Sequence, residues 1–149
     1  MAYVEEATEV DQDITTVYEQ WTQFESFPRF MDGVKQVTQL DDAHIHWVAE
    51  VGGRTREWDA EITQQIPDTR ISWSSTGGAM SGGTVMFAPI GPDQTRVTLR
   101  MEYQPEDWQE RAGEALGIVQ RQVRQDLANF REFIEGRGEA TGERRGRVA

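Results

Sequence analysis

The chain contains no cysteine, only two histidines and one lysine, and no long run of apolar residues. Without cysteine there can be no disulfide, no thiolate metal site and no cysteine nucleophile, and the composition suits a reducing compartment. No stretch approaches the ~20 apolar residues that a bilayer-spanning helix needs, so no integral membrane segment is expected. The start, Met1-Ala2-Tyr3-Val4-Glu5-Glu6, has neither a basic n-region nor an apolar h-region. It does not read as a secretory signal, and a cytoplasmic location is expected. A formal net charge of −11 opposes nucleic acid, whose phosphates require a basic face.

What the chain does have is aromatic weight. Its 149 residues fit one domain, and five Trp, six Phe and three Tyr supply large buried area per side chain. Val17, Tyr18, Trp21 and Phe24 fall at helical spacing, and Asp13 can cap the helix that begins at Ile14. Pro28 then pushes Phe27 out of the helical region, and Phe30 and Met31 resume the pattern for one turn. Two short helices joined at an angle form a V. Its aromatics either grip the protein's own C-terminal helix or also wall a ligand cavity.

Strand patterns separated by turn signals precede and follow this V. Val4 to Val10 fits a first strand, and after Gly33 the pattern is that of an antiparallel meander. Ile45, Trp47, Ala49 and Val51 alternate with polar neighbours, and Gly52-Gly53 reads as a hairpin turn. In Arg54 to Ile66, Trp58, Ala60 and Ile62 face one way while Glu57, Asp59, Glu61 and Thr63 face water. Ile71 and Trp73 point inward from the next strand, Val85 and Phe87 mark another, and Val97, Leu99, Met101 and Tyr103 alternate in the last. Pro105 ends the sheet.

A long helix is predicted from about Asp107 to Glu135, with Ala112, Leu116, Val119, Val123, Leu127, Phe130 and Ile134 forming one apolar stripe. Gly113 and Gly117 weaken its N-terminal half, which points either to close backbone approach or to space left for something else. Residues 1–135 are read as one domain, carrying a net charge of −13. Residues 136–149 are read as a flexible Arg/Gly/Glu-rich tail of net charge +2. A six-strand meander curls because sheets twist, and the helix must bury its stripe on the concave face. The expected fold is α+β: a curved antiparallel sheet of about seven strands wrapped around a long C-terminal helix, with two short helices after the first strand.

This order, together with Val17-Tyr18-Glu19-Gln20-Trp21 and Phe24-Glu25-Ser26-Phe27-Pro28-Arg29-Phe30-Met31, resembles the START-like, helix-grip (SRPBCC) superfamily. Within it the chain is most similar to the bacterial polyketide cyclase/dehydrase and lipid-transport branch, which includes the coenzyme Q-binding START-like proteins. Arg56-Glu57-Trp58-Asp59-Ala60-Glu61-Ile62, Gly83-Thr84-Val85-Met86-Phe87 and Thr95-Arg96-Val97-Thr98-Leu99 extend the match over about residues 3 to 135. The resemblance implies a cavity between sheet and helix that takes lipids, isoprenoids or quinones, or aromatic polyketides. It does not by itself imply catalysis.

The candidate ligand-binding residues follow from alternation and the V. They are Phe27, Phe30, Trp47, Arg56, Trp58, Trp73, Phe87, Met101 and Tyr103, with Val119 and Val123 opposite them on the helix. Arg56 shares a face with Trp58 and either meets a ligand or forms an ion pair at the sheet rim, for instance with Glu50. His44 and His46 share a strand face and could chelate a metal only with a third ligand, yet they point outward, and no metal is expected. The loop from Thr76 to Gly83 precedes a strand and lacks the lysine of a phosphate-binding loop. It reads as a mobile lid at the cavity rim, and no cofactor is expected. No nucleophile–base pair stands out, since Ser72, Ser74 and Ser75 have no histidine placed by any motif, and neither Arg56 nor Tyr103 is a ready base at neutral pH.

Three functions remain open at this point: a carrier of a hydrophobic small molecule, a polyketide cyclase/aromatase, or a filled domain that works by protein contact. In the second, Arg56, Tyr103 and the tryptophans would steer aldol cyclisation and dehydration. The oligomeric state is not readable from the sequence.

Overall fold

The computed structural model describes residues 2–51, 54–76, 80–103 and 108–148, with backbone alone at 2, 51, 54, 80–81, 103 and 108–116. In chain order the elements are β1 (Ala2–Val10), α1 (Ile14–Trp21), a 3-10 helix (Phe24–Arg29), β2 (Val34–Gln39), β3 (His44–Val51), β4 (Arg54–Ile66), β5 (Arg70–Ser75), β6 (Met80–Gly91), β7 (Gln94–Tyr103) and α2 (Trp108–Arg137). Among the described residues seven strands make one antiparallel sheet in the order β1-β7-β6-β5-β4-β3-β2. The fold is a helix-grip α+β architecture, a curled sheet holding one long helix. The turn at Gly52-Gly53 and the stop at Pro105 lie outside the described residues.

The sheet curls where its ladder is interrupted. Bulges fall between Val34 and Gln36, between Ile62 and Gln64, between Met80 and Gly82, and between Pro89 and Gly91, and each adds local twist. The bulge in β4 also changes which side chains turn inward. Ala60 and Ile62 are buried as alternation predicts, but beyond the bulge Gln65 is buried in turn.

Asp13 caps α1, its carboxylate accepting from the Thr16 backbone N–H at 3.1 Å and the Thr16 hydroxyl at 2.7 Å. Trp21 meets Phe27, Phe30 and Phe130 at ring separations of 5.4, 5.6 and 5.0 Å. Phe30 also meets Phe133 at 5.6 Å. Such contacts contribute about 0.5–1.5 kcal/mol each beyond area burial. The V therefore closes on the C-terminal half of α2, where Val123, Leu127, Phe130 and Ile134 are buried.

Charged and polar contacts tie α2 to the β1 edge. Arg124 donates to Glu6 at 2.7 Å and Gln120 to the same carboxylate at 3.1 Å. The Arg124 hydrogen bond is the main reason that the Glu6 carboxyl sits below its usual range, although burial opposes it. Ala112, Gly113 and Leu116 lie outside the described side chains. A Cβ at Gly117 would meet nothing within 4 Å, so at this position the helix has room rather than a close neighbour.

The structure corrects the reading of residues 136–149 as a loose tail. Helix α2 runs on to Arg137, and the following segment lies across β4 and α1. Val148 and Gln65 exchange backbone hydrogen bonds at 2.9 and 3.0 Å, and Val148 packs on the core. Gln65 also donates to the Arg144 carbonyl at 2.8 Å. The Gln20 side chain accepts from the Thr141 N–H at 2.9 Å and donates to its hydroxyl at 3.0 Å. Arg144 pairs with Asp42, while Arg145 pairs with Asp68 at 2.9 Å and Glu19 at 3.4 Å over the Tyr18 ring.

A chain ending at Gly136 should consequently lose on the order of 2–3 kcal/mol, after the entropy of ordering the segment is offset. That corresponds to a melting temperature about 5–10 °C lower for a domain of this size. Scanning calorimetry on the two lengths decides it, and an unchanged midpoint would mean that the segment contributes nothing.

Candidate functional site

The concave face of the sheet carries a row of large side chains set by strand register. Trp47 on β3 is paired directly with Trp58 on β4, and their rings stack at 6.0 Å with 7° between planes. Trp73 on β5 lies 5.9 Å from Trp47. Its register partner is Gly83, whose own partner on β7 is Met101. A Cβ at Gly83 would stand 2.5 Å from the Trp73 ring and 3.0 Å from the Met101 sulfur. Glycine at that position is what lets the indole lie flat across β6. Gly83 thus belongs to β6, which begins at Met80 inside the expected rim loop; residues 77–79 lie outside the described residues.

Between this row and the middle of α2 the structure leaves a cavity of about 250 Å³, open to solvent on one side. Trp47, Trp58, Trp73, Leu99 and Met101 form its sheet wall, and Val119, Val123 and Ile118 its helix wall. Met31, Gly33 and Val34 close the β2 end. Ile118 is 59% exposed, which puts it at the mouth with the exposed Glu50. The volume falls slightly below the range usual for small-molecule sites, and the lining is dominated by apolar groups, as those sites require.

One buried acid stands in this apolar wall. Asp126 is 8% exposed and accepts a hydrogen bond from Gln122 at 2.8 Å. Burial of its carboxyl outweighs that hydrogen bond, the negative charge of Asp32 adds to the rise, and the pKa is pushed up to about 7. A carboxyl that gains and loses its proton near neutrality can serve as acid or base. Glu50 and Asp126 are the charged residues of the lining among the described residues, and Glu50 has Lys35 at 3.6 Å.

Of the sequence candidates, the structure brings Trp47, Trp58, Trp73, Met101, Val119 and Val123 together around the cavity. Phe27 and Phe30 are not in the lining. They are consumed by the aromatic cluster with Trp21 and Phe130, because the V faces the far half of α2. Phe87 is buried instead against Tyr18, at 5.4 Å edge to face, where α1 covers that end of β6.

Arg56 is exposed. Its register partner Ala49 lines the cavity, but Arg56 itself does not. The expectation of Arg56 as a ligand contact is therefore corrected. The rim ion pair of Glu50 is made with Lys35 instead. The Tyr103 side chain lies outside the described residues.

Sequence reasoning missed Asp126 and Gln122. Asp126 stands seven residues after Val119 and three after Val123, so it shares their helix face. A search for apolar stripes passes over it.

The two histidines face the outer side of the sheet. His46 sits 2.7 Å from Asp59 and 3.1 Å from Glu57, and His44 sits 2.8 Å from Asp41. These hydrogen-bonded carboxylates raise the pKa of both imidazoles. Among the described residues no group of three or more His, Asp or Glu is placed to hold a metal ion. No helix among them is long and apolar enough to cross a membrane.

The family described as polyketide cyclase / dehydrase and lipid transport matches residues 10–132. The chain belongs to that family. A relative in Streptomyces lincolnensis, an uncharacterized 17.2 kDa protein encoded between melC2 and rnhH, is 48% identical over 149 residues, covering 99% of each chain. Members of the START-like superfamily share the fold. A START superfamily protein from Mycobacterium smegmatis superposes with a TM-score of 0.74 at 15% identity, over 89% of this chain and 98% of that one. The Zhui aromatase/cyclase from Streptomyces sp. R1128 does so with a TM-score of 0.75 at 15% identity, over 96% and 99%. At such identities the likeness is one of fold, and the fold alone does not choose between carrier and cyclase members of the family.

Proposed function

We propose that this chain binds an apolar small molecule (a lipid, an isoprenoid or quinone, or an aromatic polyketide) in the cavity between sheet and α2. The observation that carries the reading is the cavity itself. Protein interiors are close-packed, yet a pocket of about 250 Å³, open to solvent on one side, is left between sheet and helix. A chain that keeps the space and lines it with three indoles is built for a guest. A domain working only by protein contact has no use for such a void.

The experiment is native mass spectrometry of the protein purified from its natural host. The expected result is a bound organic molecule that leaves on mild activation and is missing from a folded Val119→Trp variant. A clean apo mass, together with no uptake of a neutral fluorescent ketone such as prodan, would sink the proposal.

A second reading is favoured by one feature, the Asp126 carboxyl in the cavity wall. Aldol cyclisation and dehydration both need proton transfers, and Asp126 supplies a group of near-neutral pKa in the cavity wall. Holding a reactive chain in a near-attack shape would do the rest. The check is to incubate the protein with a poly-β-ketone mimic and compare products with the spontaneous mixture. Enrichment of one product by wild type but not by Asp126→Asn supports a cyclase; an unchanged mixture leaves a carrier.

A further inference from the structure

The binding proposal above leaves the guest's charge open, and the cavity's polar groups speak to it. We infer that the cavity admits uncharged apolar molecules carrying a hydroxyl or carbonyl oxygen and excludes the carboxylate of the same body. This rests on the cavity being a binding site, and beyond the desolvation cost that apolar walls impose it adds a repulsion that depends on pH.

The lining holds two charged residues among the described ones, and both are acidic. Glu50 is at the mouth, with Lys35 beside it on the solvent side at 3.6 Å. Asp126 is inside, 8% exposed, with Gln122 as its hydrogen-bond donor. Among the described residues the remaining walls around Asp126 add no positive charge. Asp32, before β2, contributes a further negative charge, with a backbone hydrogen bond that partly offsets it, while β4, β5 and β7 present Trp58, Trp73, Leu99 and Met101. An anion entering this space must give up its hydration and meet a carboxylate in a medium that screens poorly.

A hydroxyl or carbonyl meets no such opposition. Ionised, the Asp126 carboxylate accepts from a hydroxyl; protonated, it donates to a carbonyl, so a neutral oxygen has a partner in either state. An ammonium is the less suitable cationic alternative. To enter this largely apolar space it must give up a strongly held hydration shell, a cost that a neutral oxygen does not carry.

The test uses one apolar body with three heads: 2-naphthalenemethanol, 2-naphthoate and 2-naphthylmethylammonium. Each competes with prodan for the full-length protein at pH 8 and at pH 5.5. The expected result at pH 8 is that the alcohol displaces prodan at a concentration at least tenfold lower than the carboxylate requires. The gap should narrow at pH 5.5, where Asp126 holds its proton and 2-naphthoate is still ionised. In Asp126→Asn the gap should be smaller than in wild type at pH 8, set by the carboxylate's desolvation alone, and the same at both pH values.

Equal potency of alcohol and carboxylate at pH 8 overturns the inference, as does a gap that Asp126→Asn leaves intact. An ammonium that outcompetes the alcohol tenfold overturns the neutral-guest assignment. Failure of prodan and all three compounds to bind is a different outcome, since it removes the binding site itself and the inference with it.

Discussion

A Val119→Trp variant should fold and should no longer bind prodan. Val119 lines the cavity from the helix side, facing the tryptophan row. It is only partly buried, so an indole placed there grows into empty volume rather than into packed neighbours. Overpacking a filled core costs typically 1–3 kcal/mol; here the cost should be smaller, because the space is already open. The loss of binding should be large, at least tenfold and so more than about 1.4 kcal/mol. A fluorescence titration with prodan reads the affinity, and a thermal melt by circular dichroism reads the fold. A variant that melts normally and still takes up prodan with wild-type affinity would show that the dye, and by extension the guest, binds elsewhere. Phe87→Trp is the matched control: Phe87 is buried against Tyr18, away from the cavity, so it should disturb stability more than binding.

The contrast between these two positions shows which features could be read from the chain alone. Strand alternation correctly turns both Phe87 and Trp73 inward, because period two is a local property of the backbone. Which part of α2 each then meets depends on contacts across the whole chain. Phe27 and Phe30 turn inward from the V rather than from a strand; Phe30 meets Phe130 and Phe133 on the far half of α2, while Phe27 meets Trp21 and Trp47. Arg56 shows the limit from the other side. Its face is set by alternation, but whether that face still has a roof at the end of β4 is set by where the cavity stops.

The docked C-terminal segment left no periodic signal at all. Its hold comes from Gln65, Gln20, Thr141 and two arginines, pairs of polar residues distant in sequence. Gln65 itself turns inward only because a bulge shifts β4 after Ile62. Asp126 was hidden for a simpler reason: an acid in an apolar stripe reads as an interruption, when in the folded chain it is the polar group of the cavity.

That acid should make the protein's stability fall as the solution turns from mildly acidic to neutral. The Asp126 pKa is raised from 3.8 to about 7 in the folded state. A group whose folded pKa lies above its unfolded value favours folding while it is protonated. Its contribution is fully present below about pH 4, declines as the pH rises towards 7, and is gone above that. Three units at 1.36 kcal/mol each set the size at roughly 4 kcal/mol. Asp126→Asn keeps the shape, keeps a partner for Gln122 and cannot ionise. At pH 8 the variant should therefore be the more stable by on the order of 2–4 kcal/mol, or about 5–10 °C in melting temperature. At pH 4 the two should melt together. General repulsion among the other acidic groups, Asp32 and Glu50 included, acts on both proteins and drops out of the difference. Paired melts of ligand-free protein from pH 4 to pH 8 give the curve directly. A constant offset across that range would mean that Asp126 keeps an ordinary pKa, and with it would go both the proton-transfer role and the narrowing of the alcohol–carboxylate gap at pH 5.5.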